Sequence, residues 1–311
     1  MKTVAFLIVS ALVPLVFLSC ASQRQAVPSE PVIVNGMVLV GQGEFTMGSD
    51  DGEVSERPEH KVFVSEYLID RYEVSAREFA GFLNTRGNEG DTFFSAGRHS
   101  TVEQKSDGRY SARKGYGNYP ANNVTWHGAA SYCDWAEKRL PTEAEWEKAA
   151  RGEDVRIYPW GNDPPGEKLA RYDQAWSGEG PAMLTPVDAL PTGASYYGAV
   201  NMAGNVWEWT GDWYRQNYCS FCSDVDRSGE VAARLLGKEN SAFSSRWEGE
   251  EMVDPERADP QGAPFGDFKV LRGGSWSDAE SLMKVTVRYW RLPEDRGLNM
   301  GFRCARDSQE Q

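Results

Sequence analysis

Histidine and cysteine are scarce in this chain: 3 and 5 residues among 311. With only His60, His99 and His127, no sequence-local histidine set for iron or zinc can be assembled. No Ser-His-Asp spacing stands out, and no pair of carboxylates is singled out for general acid and base work. Positive charge is also short. Lys and Arg number 33 against 46 Asp and Glu, a net charge of -13, which argues against nucleic acid and anionic lipid as partners. No repeat or long low-complexity run divides the chain. What it has in abundance is Gly (31) and Trp (11), the composition of a rigid, loop-rich domain with aromatic packing.

The long apolar run at the start, Val4 to Leu18, is interrupted by Ser10 and Pro14 and is too short to span a bilayer comfortably. Met1-Lys2 precedes it and Leu18-Ser19-Cys20 closes it, which resembles a bacterial lipobox. The resemblance implies a signal peptide over 1–19, cleavage before Cys20 and lipidation of its sulfur. The alternative is ordinary signal cleavage near Ala21. A lipid on Cys20 would anchor an exported protein at the outer membrane or cell surface without spanning it. Residues 20–31 are polar with two prolines and read as a tether. Residues 32–307 are within reach of one large domain.

Met37 to Met47 alternates around Gly41 and Gly43 as a hairpin would, and Lys61 to Asp70 reads as one strand. Ser75-Ala76-Arg77-Glu78 is a capping box that starts a helix from Ala76 to about Leu83. Thr125 caps a second helix running to about Leu140, where Pro141 stops it. Thr142 to Glu145 is another capping box, opening a short helix through Ala150. Stretches 85–119 and 215–266 read as irregular insertions. Two main helices, short antiparallel strands and many ordered loops make the fold class α+β.

Seven phrases then fall in order: Gly43-Glu44-Phe45-Thr46-Met47-Gly48, Arg57-Pro58-Glu59-His60-Lys61-Val62, Lys138 to Glu147, Tyr158-Pro159-Trp160-Gly161, Asn201 to Trp209, Leu271 to Trp276, and Gly301-Phe302-Arg303-Cys304. Together they resemble the formylglycine-generating enzyme (sulfatase-modifying factor) superfamily. That resemblance implies a variant of the C-type lectin fold, and it does not settle function. The family's oxidases bind copper through two cysteines shortly after the Gly-Gly-Ser phrase. Copper(I) requires soft thiolates, and the corresponding places here hold Asp278 and Met283. No cysteine lies between Cys222 and Cys304. Related sulfoxide synthases bind iron through histidines of an additional domain, which has no counterpart here. Neither copper nor iron is expected, and the chain reads as a binding protein rather than an enzyme.

The resemblance also implies a disulfide between Cys133 and Cys304, and a structural Ca²⁺ site from Asn201, Gly204, Val206 and Glu208, all oxygen donors of the kind that suits this cation. Cys219-Ser220-Phe221-Cys222 could be a local disulfide, half of a zinc site or a redox pair; a disulfide is the expected state. His60 reads as a structural hydrogen-bonder, His127 as packing or surface.

Between two intact fold phrases lies 277–299, where the enzymes keep their catalytic centre. Ser277, Asp278, Ser281, Tyr289, Trp290, Arg291, Leu292, Gly297, Leu298 and Asn299 are its candidate ligand contacts, since aromatic and Arg side chains are favoured anchors of protein-binding surfaces. On a strand, at most one of Tyr289 and Trp290 faces inward. The arrangement further resembles the variable lipoproteins of diversity-generating retroelements, in which such a segment is rewritten at adenines. Ser, Asp, Tyr, Leu, Gly, Arg and Asn can all arise from an asparagine codon in that way, whereas Glu280, Met283, Lys284 and Trp290 cannot. The expected function is display of a variable surface for a ligand, a protein in the first instance. The alternatives are an oxidase-family enzyme with altered metal chemistry and a carbohydrate-binding lectin.

Overall fold

The computed structural model describes residues 30–176, 182–216 and 258–308. Its strands are β1 (Ile33–Val34), β2 (Met37–Val40), β3 (Gly43–Met47), β4 (His60–Val64), β5 (Tyr67–Asp70), β6 (Val102–Gln104), β7 (Tyr110–Ala112), β8 (Trp207–Trp213), β9 (Lys269–Arg272), β10 (Arg288–Arg291), β11 (Met300–Gly301) and β12 (Ala305–Asp307). Its α-helices are α1 (Ala76–Arg86), α2 (Trp126–Trp135) and α3 (Glu143–Arg151). Two four-stranded sheets, ordered β1-β2-β5-β12 and β10-β9-β8-β11, are joined by the two-stranded pairs β3-β4 and β6-β7. The α+β class therefore holds, with the two main helices and the short third one all present.

The first expected hairpin does not form. β2 pairs with β5 (Val38 opposite Ile69), while β3 pairs with β4 (Phe45 opposite Val62). The single strand expected over 61–70 is likewise two, in different sheets. A buried cation explains both breaks. Nζ of Lys148 donates to the carbonyls of Gly41 (2.7 Å), Gly43 (2.8 Å) and Val64 (3.2 Å), collecting groups that leave the ladders where the chain changes sheet. Lysine at that helical position carried no such signal in the sequence.

Both expected capping boxes are present, at Ser75/Glu78 and Thr142/Glu145. Helix α2 starts at its Thr125 cap but ends five residues before Leu140 (140 − 135). Glu137 turns left-handed (φ 56°), and Arg139 then exchanges backbone hydrogen bonds with Ala305 at 2.8 and 2.7 Å. The chain is pulled out of the helix to meet the C-terminal strand. The stretch 85–119 is also more than a surface insertion. Phe93, Phe94 and Val102 are buried, and Tyr110 and Ala112 pack on the same aromatic core as Phe79, Phe82, Tyr132 and Phe302. Residues 215–266 lie mostly outside the described residues.

Cys133 of α2 is bridged to Cys304, with Cα atoms 5.6 Å apart across a sequence separation of 171. Cys20, Cys219 and Cys222 fall outside the described residues. The bridge closes a long loop, for which the chain-entropy account gives about 5 kcal/mol at most. Cys304→Ser should therefore lower unfolding stability by about 2–5 kcal/mol, measured by denaturant titration.

A second expectation concerns pH. Burial, reinforced by the charge of Glu143, pushes Asp212 of β8 up to about 8. The folded state then holds a proton that the unfolded chain has lost, so this group's stabilisation is complete below about pH 4 and fades as pH rises to about 8. Asp212→Asn should flatten the stability-versus-pH curve in that window; an unchanged slope would contradict the assignment.

Candidate ligand-binding face

The C-terminal segment leaves β9 through Gly273 and Gly274, whose φ values of 96° and 70° are the left-handed region that glycine tolerates. A Cβ on Gly274 would also stand 2.4 Å from the methyl of Met283. Ser275 and Trp276 are buried, after which Ser277 to Ser281 turn outward. Met283, Val285 and Val287 return the chain to the core. β10 then lies at the end of its sheet, paired to β9 with Tyr289 opposite Leu271 and Arg291 opposite Lys269.

This path puts Tyr289 and Arg291 on one face of the sheet and Trp290 on the other, as strand geometry requires. Tyr289 is half-buried and stacks on the buried Trp207, with centroids 5.1 Å apart and 24° between the rings. The guanidinium of Arg291 lies 4.5 Å from the Tyr289 centroid. Trp290, 38% exposed, rests against Phe268 at 4.4 Å and Tyr214 at 5.9 Å. Leu292 follows at 37% exposure.

At the other end of the segment, Trp207 donates its backbone N–H to the carbonyl of Asn299 (2.8 Å). Nδ2 of Asn299 donates to the hydroxyls of Ser275 and Ser277, both at 3.2 Å, and Ser275 donates to the carboxylate of Asp278. Asn299, Ser277 and Asp278 therefore form one polar cluster. Trp207 links it to Tyr289 and Arg291. Leu298 accepts from Trp276 Nε1 through its carbonyl at 3.5 Å. Ser277, Ser281, Trp290 and Leu292 are exposed; Asp278, Tyr289, Arg291, Gly297, Leu298 and Asn299 are half-buried. None of the ten is sealed in the core. Ser281, on the turn Glu280–Leu282, is not bonded into the cluster.

Residues outside the segment border or underlie the surface. Backbone N–H groups of Asp173 and Gln174 donate to the carbonyls of Asp278 (2.9 Å) and Trp276 (2.8 Å), laying 172–176 alongside. Trp176, 51% exposed, sits edge-on to His99 at 4.7 Å and tilted on Trp276 at 6.1 Å. Lys269, 3% exposed, lies between the rings of Trp126 (4.1 Å) and Trp213 (3.8 Å), and burial pushes it down to about 8. Neither Trp176 nor Lys269 had a sequence signal, because each is brought in by a turn or a register. Of the other histidines, His60 shares a 2.9 Å hydrogen bond with the Pro58 carbonyl through Nδ1, and His127 is exposed beside Trp126.

The donor set does not fit copper(I). Asp278 offers a hard carboxylate already bonded to Ser275, and the thioether of Met283 is fully buried among Tyr158, Ala203 and Leu282. The calcium set fits in one part and is occupied in another. Oδ1 of Asn201 is buried without a hydrogen-bond partner, an unused hard oxygen. Its Nδ2 donates to Glu73 (2.8 Å) and to the Val187 carbonyl (3.2 Å). The carboxylate of Glu208 is held by Arg303 through Nε and Nη2, both at 2.7 Å, and by Trp146 Nε1 at 2.8 Å. Beside it, burial and the charge of Glu208 push Glu73 up to about 8.

The formylglycine-generating enzyme of Thermomonospora curvata is 34% identical over 88% of this chain and 94% of its own length. The serine/threonine-protein kinase Pkn1 of Chlamydia trachomatis is 31% identical over 92% of this chain, but the match spans only 40% of that relative's length. Among solved structures, PvdO from Pseudomonas aeruginosa superposes with a TM-score of 0.59 at 25% identity, covering 87% of this chain and 94% of its own. Treponema denticola variable protein 1 does so at 0.57 and 20% identity, with the same coverage. The profile of the family described as "Sulfatase-modifying factor enzyme 1-like domain" matches residues 23–308. Profile, relatives and fold agree that the chain belongs to the sulfatase-modifying factor, or formylglycine-generating enzyme, family.

Proposed function

We propose that the chain is a lipid-anchored, surface-displayed binding protein that recognises a protein ligand through the face built from 277–299, and that it is not an oxidase. The observation that carries this reading is a contrast within one segment. Where the family's copper enzymes need two thiolates, this chain has Asp278 and a buried Met283, yet the surrounding side chains stay open to solvent on a buried frame. Trp276, Val285, Val287, Arg288 and Met300 are buried and hold the segment. Arg291, Leu292, Leu298 and Asn299 can change without emptying the core, and Tyr289 covers its edge. A surface of that kind suits rewriting by a diversity-generating retroelement, and the likeness in fold to a Treponema variable protein supports the same reading.

Export and lipidation at Cys20 complete the proposal, with 20–31 as the tether. Calcium enters as a structural ion: Asn201, with the backbone oxygens of Gly204 and Val206 and a lone pair of Glu208, would hold it. It would supply the partner that Oδ1 of Asn201 lacks.

Three measurements test these statements. The coding locus should contain a second copy of the segment encoding 277–299 that differs almost only at adenines, with a reverse transcriptase nearby; a locus without either contradicts diversification. Purified protein with its disulfides intact should show no stoichiometric tight binding of copper(I) and no oxidation of a sulfatase-derived cysteine peptide. Turnover in that assay would overturn the non-enzymatic reading. Calcium at about 100 times its dissociation constant should stabilise the fold by about 2.7 kcal/mol, and Asn201→Ala should abolish that gain.

A further inference from the structure

Two cations face each other across the β9-β10 ladder. Arg291 and Lys269 are directly opposed, so their side chains project from the same face of the sheet. Like charges at such positions destabilise a sheet unless something offsets them. Among the described residues neither is ion-paired. Arg291 has five N–H donors to offer, and among the described residues one of them is used, Nη1 to the carbonyl of Trp290 at 3.4 Å. Lys269 Nζ donates to the Gly211 carbonyl at 2.7 Å and is otherwise bounded by the rings of Trp126 and Trp213. The carboxyl that acts on it, Asp212, accepts from the backbone N–H of Glu143 at 2.7 Å, and burial pushes it up to about 8.

The aromatic floor under this pair is fixed. Trp207 supports Tyr289, and Tyr289 supports the flat face of the Arg291 guanidinium. A guanidinium stacked in this way has lost much of its rotamer freedom before any ligand arrives, and its fork matches a carboxylate. Tyr289 borders the same spot, so a group bound there would touch that candidate contact too. In a chain of net charge -13, an anionic ligand would be repelled by most of the surface. Here it would meet the guanidinium of Arg291, with the buried Lys269 behind it.

We infer that Arg291, backed by Lys269, forms an anion subsite of the binding face, and that its occupant is a carboxylate side chain from an acidic stretch of a protein ligand. Arg291 makes the contact. Lys269 is too deeply buried to touch the ligand and acts through its field. The inference rests on the proposed binding role of 277–299 and gives that face a ligand chemistry.

The test begins with a probe of known composition. Acetylated tetraglutamate should shift the Arg291 Nε–Hε resonance saturably, while tetraglutamine should not, and added salt should weaken the effect. Arg291→Gln should lower tetraglutamate affinity roughly tenfold, the loss of one charge-assisted bidentate contact. Lys269→Met should weaken it severalfold without abolishing it, with thermal unfolding confirming that the variant is folded. No saturable shift, or equal affinity in Arg291→Gln, overturns the subsite. Selection of binders from a displayed random peptide library then separates the two readings. Binders rich in Asp and Glu that are lost in both Tyr289→Ala and Arg291→Gln support the subsite. Binders lost in Tyr289→Ala but neutral and indifferent to Arg291→Gln overturn the subsite and leave the binding face standing. A library yielding no binder that depends on Tyr289 or Leu298 overturns both.

Discussion

The buried guanidinium of Arg303 holds the two halves of this fold in register. It pairs with Glu208 of β8 through two hydrogen bonds and donates to the carbonyls of Val200, Asp70 and Arg71. One side chain thereby ties the C-terminal strand, the middle of the second sheet and the end of β5. Burying such a pair brings little net stability, but removing one partner would leave an uncompensated charge, at a cost of about 3–5 kcal/mol. Arg272 plays a similar part for β9, reaching Glu147 of α3 and the carbonyls of Val285, Thr286 and Val287. These two arginines fix both ends of 277–299. The stretch between them therefore begins and ends on a fixed frame.

That arrangement separates the family's fold from its chemistry. Glu143, Glu147, Glu208, Arg272 and Arg303 all belong to phrases that the chain shares with the family, and each is spent on internal pairing. The positions that would carry oxidation are not part of this framework. Exchanging two thiolates for a carboxylate and a buried thioether therefore leaves the scaffold intact while removing the thiolate pair that binds copper in the family's oxidases. The acidic surface and the aromatic-backed cations of β9 and β10 then become the features a ligand would meet.

Much of this was legible beforehand, and what was not has specific causes. Capping boxes at Ser75 and Thr142 were readable because their hydrogen bonds are local. The Cys133–Cys304 bridge followed from the family likeness. The outward turn of Ser277 and Leu292 followed from the family likeness, which puts the segment where the enzymes keep their catalytic centre. The break at Gly41–Gly43 was not, because Lys148 stabilises it from more than a hundred residues away. The early end of α2 depends on pairing between Arg139 and Ala305, equally remote in sequence. For the candidate face, Trp176 and Lys269 were missed because a turn and a strand register bring them in. Local chemistry is written in neighbouring residues; long-range pairing is not.

If a fixed frame carries an exchangeable surface, tolerance to substitution differs sharply along the segment. Saturation mutagenesis across 277–299, scored by the folded fraction of each displayed variant, should show broad tolerance at Ser277, Ser281, Tyr289, Arg291, Leu292 and Leu298. The buried positions Val285, Val287 and Arg288 should tolerate little. Equal intolerance at the two sets would mean that the open side chains are themselves part of the frame, and the account would be wrong.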